Sequence, residues 1–519
     1  MPRGNVIATP PARPLRFVAS GTTLCRLPRK QPLWLAALAW LAPSGALAGE
    51  SVVPAATGLT QSGYGIAALV VFALAYALVI SEEFLHLRKS KPVIVAAGII
   101  WILIAVALQQ QGDTSTAAAA LRHNLLEFAE LLLFLLAAMT YINTLEERNV
   151  FMALRGRLVS SGFSLRKIFW LTGILAFFIS PVADNLTTAL VMAAVVMAVG
   201  KNNRLFVSLG CINIVVAANA GGAFSPFGDI TTLMVWQKGL VDFQQFFALL
   251  IPSAVNWLIP AAIMAIALPN AQPDAVSESV SVKPGGYVVI ALFLSTIALA
   301  VAGHNFFHLP PVLGMMTGLG LLKFYGYYLR KREGPLSVIG PENLGVDPHL
   351  LQTYYKPRHR PFDIFISMKR AEWDTLMFFY GVILCVGGLG TLGYLTLVSG
   401  FMYGDLGPTW ANVLVGILSA VVDNIPVMFA VLTMNPDMSL GQWLLVTLTA
   451  GVGGSMLSIG SAAGVALMGQ ARGIYTFFAH MKWSWAIALG YAASIAVHLW
   501  LNAELMSVPI TPPASPGEH

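Results

Sequence analysis

Two short polar stretches interrupt otherwise apolar segments of the chain. Residues 180–188 contain Asp184, followed by an amide and two hydroxyls, and residues 419–426 contain Asp423 in the same Ser-x-x-x-Asp-Asn frame. A carboxylate near the centre of a bilayer costs roughly 2.5–3.5 kcal/mol and usually marks an ion or substrate pathway. Its recurrence in two matching segments therefore indicates that Asp184 and Asp423 bind something.

Two glycine-rich segments carry a second pair of interruptions. Residues 205–236 and 440–470 are too long for one regular span, and each contains a Gly-Gly pair followed, after five residues, by another glycine. The first segment also contains Asp229. Interrupted apolar segments at corresponding places in two halves of a chain are the best sequence indication of a transporter's binding site.

The candidate binding residues are the carboxylates, amides and hydroxyls at these four interruptions. They are Asp184, Asn185, Thr187, Thr188, Ser225, Asp229, Thr231, Thr232, Asp423, Asn424, Ser455 and Ser458. The three aspartates are the predicted Na⁺ ligands. None of these side chains is a cation, so the set suits Na⁺, Li⁺ or H⁺ better than an anion. A buried carboxylate holds a proton or a metal cation but not easily both, so competition would couple the two ions.

Each feature also has a simpler structural interpretation that the sequence leaves open. Asp184 and Asp229 could each cap a helix. The Gly-Gly pairs could serve only close packing of helices. The hydroxyls of residues such as Ser455 and Ser458 could bond the backbone of their own helix.

The composition predicts an all-α polytopic membrane protein. Of the 519 residues 57% are hydrophobic and only 10% charged, with a mean hydropathy of +0.73, whereas soluble domains carry about 25% charged residues. We predict about ten spans, two re-entrant hairpins and two broken helices. The basic residues lie between spans, where they orient the chain, so the charge of +6 does not indicate a nucleic-acid partner. Cys25, Cys211 and Cys385 show neither a disulfide framework nor metal-ligand spacing.

The predicted organisation is an inverted repeat, because five crossings in each half reverse the orientation of the second. The predicted boundaries are 1–48 for a leader or signal peptide, 49–268 for the first repeat, 269–285 for a link, 286–502 for the second repeat and 503–519 for a tail. The predicted hairpins are 168–199 and 408–437, the broken helices 205–236 and 440–470, and the longest cytoplasmic loop 326–372.

The sequence resembles the NhaD-type sodium/proton antiporters of the ion transporter superfamily. Residues 180–188, 221–238, 308–311 and 419–424 carry the resemblance, which runs from about residue 63 to 502. It implies exchange of cytoplasmic Na⁺ or Li⁺ for external H⁺ by alternating access in a bacterial inner membrane, serving pH and sodium homeostasis and salt tolerance. It also implies a scaffold unit, a moving transport unit and a homodimer, with no cofactor beyond the transported ions.

Two other functions stay open at this point. A sodium-coupled anion or dicarboxylate carrier of the same superfamily would need cationic or amide-rich contacts, and its relatives have Ser-Asn-Thr at the hairpin tips where this chain has aspartates. An intramembrane aspartyl protease needs Tyr-Asp and Gly-x-Gly-Asp, but Ala183 precedes Asp184 and Pro226 replaces the first glycine before Asp229. The absence of HExxH and Walker sequences disfavours a zinc enzyme or an ATP-driven pump. We therefore predict a transporter rather than an enzyme.

Overall fold

The computed structural model of this chain describes residues 59–85, 87–200, 203–269, 271–272, 280–333 and 364–510. The predicted leader 1–48, part of the link, residues 334–363 of the predicted long loop and the end of the tail lie outside these ranges. Within the described ranges, nine helices are long and apolar enough to cross a membrane. The predicted class, an all-α polytopic membrane protein, is confirmed.

Seventeen helices of eight residues or more build the described part of the chain. The first half contains α1 (Gly63–Ile80), α2 (Ser90–Gln110), α3 (Thr116–Glu147), α4 (Val150–Val159), α5 (Leu165–Ala183), α6 (Asn185–Val199), α7 (Arg204–Gly222), α8 (Ile230–Gln237) and α9 (Leu250–Ile266). The second half contains α10 (Gly286–Phe307), α11 (Pro311–Glu333), α12 (Trp373–Leu392), α13 (Pro408–Ser419), α14 (Asn424–Met434), α15 (Leu440–Gly453), α16 (Ala462–Gln470) and α17 (Ser484–Leu501).

Some helix ends differ from the sequence prediction. Helix α11 continues through residues 326–333, which we predicted as the start of the long loop, and Arg330, Lys331 and Arg332 lie in its last turn. Cations are favourable there because the carbonyl end of a helix carries partial negative charge. Helix α12 stops at Leu392, because Gly393 adopts a positive φ of 95°.

The four interrupted segments fold into two matching sets of helices, α5–α8 and α13–α16. The breaks between α5 and α6 and between α13 and α14 fall at the two Asp-Asn sequences, and the breaks in α7–α8 and α15–α16 follow the Gly-Gly pairs. Pairs from the two sets pack on each other, namely α6 on α16, α7 on α15 and α8 on α14. This interlocking brings all four breaks into one region of the fold.

The serine shared by both hairpins makes the same contact in each set. Ser180 Oγ donates to the carbonyl oxygen of Ala218 at 2.7 Å, and Ser419 Oγ donates to that of Ala450 at 2.8 Å. Each accepting carbonyl lies four residues before the second glycine of its pair, Gly222 or Gly454. The repeated serine therefore ties each hairpin to its broken helix.

The first glycine of each pair permits backbone-to-backbone contact at the same place. A Cβ added to Gly221 would lie 2.2 Å from the carbonyl oxygen of Phe177, and one added to Gly453 would lie 2.1 Å from that of Gly416. No side chain fits at such distances, so the structural interpretation of the glycine pairs, close helix packing, is the one that these contacts support.

Replacement of Gly221 by alanine is expected to destabilise the protein by about 1–3 kcal/mol, because the methyl group must displace helix α5. Gly451→Ala is the matched control, since a Cβ there meets its nearest neighbour, Ala223 Cβ, at an ordinary 3.6 Å. The measurement is the Tm of the purified protein in detergent. Equal Tm values for the two variants would contradict the packing role of Gly221.

Six of the remaining helices, α1–α3 and α10–α12, form a second packed group beside the two matching sets. Helix α2 packs on α1 and α12, helix α3 packs on α11 and α12, and α10 packs on α11. Helix α12 also contacts α14 of the second hairpin. The group formed by α1–α3 and α10–α12 therefore borders the second hairpin through α12.

Candidate functional site

Asp229 is the point at which both hairpins meet a broken helix. Its Oδ2 accepts hydrogen bonds from Asn185 Nδ2 at 3.1 Å and from Asn424 Nδ2 at 3.0 Å, and its Oδ1 accepts one from the backbone N–H of Thr231 at 3.0 Å. Asn185 and Asn424 hold equivalent positions in the two hairpins. Asp229 therefore caps helix α8, as the simpler interpretation allows, and also joins three of the four breaks.

Asp184 lies at the sharp turn between α5 and α6. Its backbone has φ 57° and ψ 160°, a combination that residues other than glycine rarely adopt. Its carboxylate accepts hydrogen bonds from the N–H and Oγ of Thr187, at 2.8 and 3.0 Å, and so caps α6. A strained residue that is both a cap and a carboxylate is typical of a functional position.

Asp423 has a partner that the sequence analysis missed. Its Oδ2 lies 2.9 Å from the Nζ of Lys89, and its Oδ1 is buried without a hydrogen-bond partner in the described part of the chain. Unlike Asp184 and Asp229, Asp423 makes no side-chain cap to the helix that follows it. Its carboxylate is therefore not needed to stabilise α14.

The three aspartates line a single cavity of about 220 Å³. Its other lining side chains with polar groups include Lys89, Asn143, Glu146, Asn185, Thr187, Arg370, Glu372, Thr375 and Asn424. Five carboxylates thus face two cations in the lining, a formal balance of −3 when all are ionised. Such a cavity attracts cations and repels anions.

The predicted hydroxyl ligands divide into three groups. Thr187 lines the cavity, whereas the hydroxyls of Ser225, Thr232 and Ser455 donate to backbone carbonyls. The structure does not place Thr188, Thr231 or Ser458 in the cavity lining, and their buried hydroxyls have no hydrogen-bond partner among the described residues. The cavity therefore brings together six of the twelve predicted residues: Asp184, Asn185, Thr187, Asp229, Asp423 and Asn424.

Several polar residues of the site were not predicted, including Asn143, Glu146, Glu372 and Thr375 of the cavity lining. Asn219 Oδ1 accepts a hydrogen bond from Asn185 at 3.0 Å, and its position just before the Gly-Gly pair of α7 could have indicated this role. Lys89 and Arg370 line the cavity from links that the sequence analysis treated only as orienting charges. The four segments contain no cation, as predicted, but two cations from the links line the cavity.

A second polar cavity of about 200 Å³ lies further along the same helices. Glu127, Glu130 and Lys238 line it, and Glu127 contacts both Lys238 and His123. On helix α3, Leu131 lines this cavity and Leu135 lines the cavity of the three aspartates. A separation of four residues is about 6 Å along a helix, so only a thin apolar layer divides the two cavities.

Comparisons with known proteins find transporters. A family described as citrate transporter matches residues 65–451. The Na(+)/H(+) antiporter NhaD of Alkalimonas amylolytica is 56% identical over 489 residues, which cover 92% of this chain and 98% of that protein. The corresponding NhaD of Vibrio cholerae is 59% identical over 452 residues, 86% of this chain and 94% of its own length. Sodium/proton antiporter 1 of Arabidopsis thaliana is 28% identical over 460 residues, 86% of this chain and 74% of that protein.

Proposed function

Because this chain belongs to the NhaD-type Na⁺/H⁺ antiporter family, we propose that it exchanges cytoplasmic Na⁺ or Li⁺ for external H⁺ across a bacterial inner membrane. It is a multi-pass membrane transporter and not an enzyme. The observation that carries the proposed site is the convergence of Asn185 and Asn424 on Asp229, in a cavity that Asp184 and Asp423 also line.

In the proposed mechanism, Na⁺ binds between the carboxylates of Asp184, Asp229 and Asp423 after they release protons. The amide oxygens of Asn185 and Asn424 are the further ligands that the hairpins can offer, since the amide nitrogens already donate to Asp229. Protonation of the carboxylates from the other side of the membrane then displaces Na⁺. Binding of either ion to the same groups couples the two fluxes.

Alternating access is proposed to arise from movement of the matching sets α5–α8 and α13–α16 against the group α1–α3 and α10–α12. The packing of the two sets on each other supports their movement as one unit.

We also propose a homodimer, as the family resemblance implies. Cross-linking in native membranes tests that state directly.

The alternative function is an anion carrier, because the chain matches a family described as citrate transporter. A dicarboxylate would enter a cavity whose lining has five carboxylates and two cations. Moving a dicarboxylate into a cavity with this excess of negative charge is electrostatically unfavourable. The charge balance therefore favours cation exchange.

Exchange is tested in vesicles that contain the purified protein, an acidic interior and a pH-sensitive dye. Addition of Na⁺ or Li⁺ outside is expected to release protons from the interior, and K⁺ is tested in parallel. Empty vesicles are the control. No response to any cation by folded, inserted protein would contradict the proposal, and uptake of a labelled dicarboxylate driven by a Na⁺ gradient would support the alternative.

A further inference from the structure

The contact between Lys89 and Asp423 joins two parts of the fold that are far apart in sequence. The Nζ of Lys89 lies 2.9 Å from Asp423 Oδ2, and the two side chains are 19% and 16% exposed. An ammonium at this distance occupies the position from which a cation would contact the same oxygen. Asp423 Oδ1 remains without a partner among the described residues.

Lys89 is held in place by the group of helices outside the hairpins. It precedes α2, and the neighbouring Ser90 Oγ donates to Asp374 at the start of α12. Its ammonium also lies 4.4 Å from the centre of the Phe378 ring, within the range of a cation–π interaction. The Lys89 ammonium is therefore positioned by α2 and α12, whereas Asp423 lies in the second hairpin.

Other carboxylates near Lys89 offer its ammonium alternative partners when it leaves Asp423. Lys89 and Asp423 both line the cavity of the three aspartates and also an adjacent cavity of about 430 Å³. Glu82 and Asp374 are among the residues that line this adjacent cavity. A lysine side chain is a compact charge on a flexible four-carbon chain, so it can turn towards these carboxylates without movement of the backbone.

We propose that the Lys89 ammonium is a tethered counter-ion that competes with Na⁺ for Asp423. The proposal rests on the assignment of Asp423 as a Na⁺ ligand above. When Lys89 pairs with Asp423, one of the three aspartate carboxylates is neutralised, and the repulsion among them falls. Na⁺ must displace the ammonium to reach Asp423, so Lys89 lowers the affinity for Na⁺ and speeds its release.

The test measures Na⁺ binding by the full-length protein, as the rise of Tm with Na⁺ concentration, because a ligand of the folded state stabilises it by an amount set by its Kd. Lys89→Gln removes the charge but can still donate to Asp423. It is expected to lower the Kd for Na⁺ at least about tenfold, equivalent to about 1.4 kcal/mol, and to slow maximal exchange. Lys89→Met is a second neutral variant with the same expectation. Lys91→Met, at an exposed neighbouring lysine, is expected to match the wild type.

Three outcomes would overturn the proposal, and they separate it from the proposed function. A Kd that is unchanged or higher in both neutral variants, with wild-type behaviour of Lys91→Met, excludes competition by Lys89 alone. A wild-type Kd in Asp423→Asn shows that Asp423 is not a ligand, while exchange by the wild type still supports the antiporter. No Na⁺ binding and no exchange by the wild type removes both proposals.

Discussion

Asp229→Asn is expected to lower Na⁺-driven proton exchange by about a hundredfold or more, the effect of about 2.7 kcal/mol. The substitution removes a charge that both hairpins approach. It also replaces one carboxylate oxygen by an NH₂ group. Either the amides of Asn185 and Asn424, which share Oδ2, or the N–H of Thr231 at Oδ1 then meets a donor instead of an acceptor. Loss of a buried acceptor of this kind costs about 1–3 kcal/mol of stability.

The measurement for Asp229→Asn is the initial rate of proton release in vesicles, at equal amounts of folded protein. Asp242→Asn is the matched control, because Asp242 is an exposed aspartate later in the same half of the chain. Its exchange rate is expected to equal that of the wild type. Retention of exchange in Asp229→Asn would move the centre of the site to Asp184 or Asp423.

Asp184→Gly is expected to abolish exchange and yet to leave the protein more stable than Asp184→Ala, by about 1–3 kcal/mol. Alanine keeps the strained backbone conformation of residue 184, φ 57° and ψ 160°, and loses the cap to Thr187. Glycine relieves that strain and, at the first position before a helix, costs only a few tenths of a kcal/mol relative to a capping side chain.

The pair of variants at residue 184 is compared by Tm in detergent and by exchange in vesicles. Within a helix, alanine is the more stable of the two by up to about 1 kcal/mol, so the predicted order is the reverse of the usual one. A higher Tm for Asp184→Ala than for Asp184→Gly would show that the turn is not strained. Exchange by either variant would exclude Asp184 as a Na⁺ ligand.

The sequence was sufficient to predict the all-α membrane class and the location of the four helix breaks, but not helix α4. The cost of a carboxylate in the bilayer singles out Asp184 and Asp423, and the glycine pairs indicate where α7 and α15 end. The same reasoning could not predict that Asn185 and Asn424 meet at Asp229, because they are far apart in the chain. The ends of helices were less predictable. Helix α11 extends beyond its apolar part because the cations in its last turn stabilise its carbonyl end.

Charges in the links were the part of the site that sequence reasoning could not place. Lys89 lies 334 residues from Asp423, and nothing in its local sequence distinguishes it from Lys91, which is exposed. It was equally difficult to predict which hydroxyls belong to the site, because the sequence does not show which hydrogen-bond partner the hydroxyl of Ser225 or Thr187 meets. Ser225 bonds a backbone carbonyl, and Thr187 bonds the carboxylate of Asp184.

The thin apolar layer between the two cavities bears on how the membrane potential acts on this protein. About 6 Å of helix α3 separates Leu131 from Leu135, compared with about 30 Å for the hydrocarbon core. With water in both cavities, most of the voltage would fall across this layer, as a strongly concentrated electric field. One elementary charge crossing it would then experience almost the full 2.3 kcal/mol per roughly 100 mV, so the movement of a charge by a few ångströms there would depend on the membrane potential.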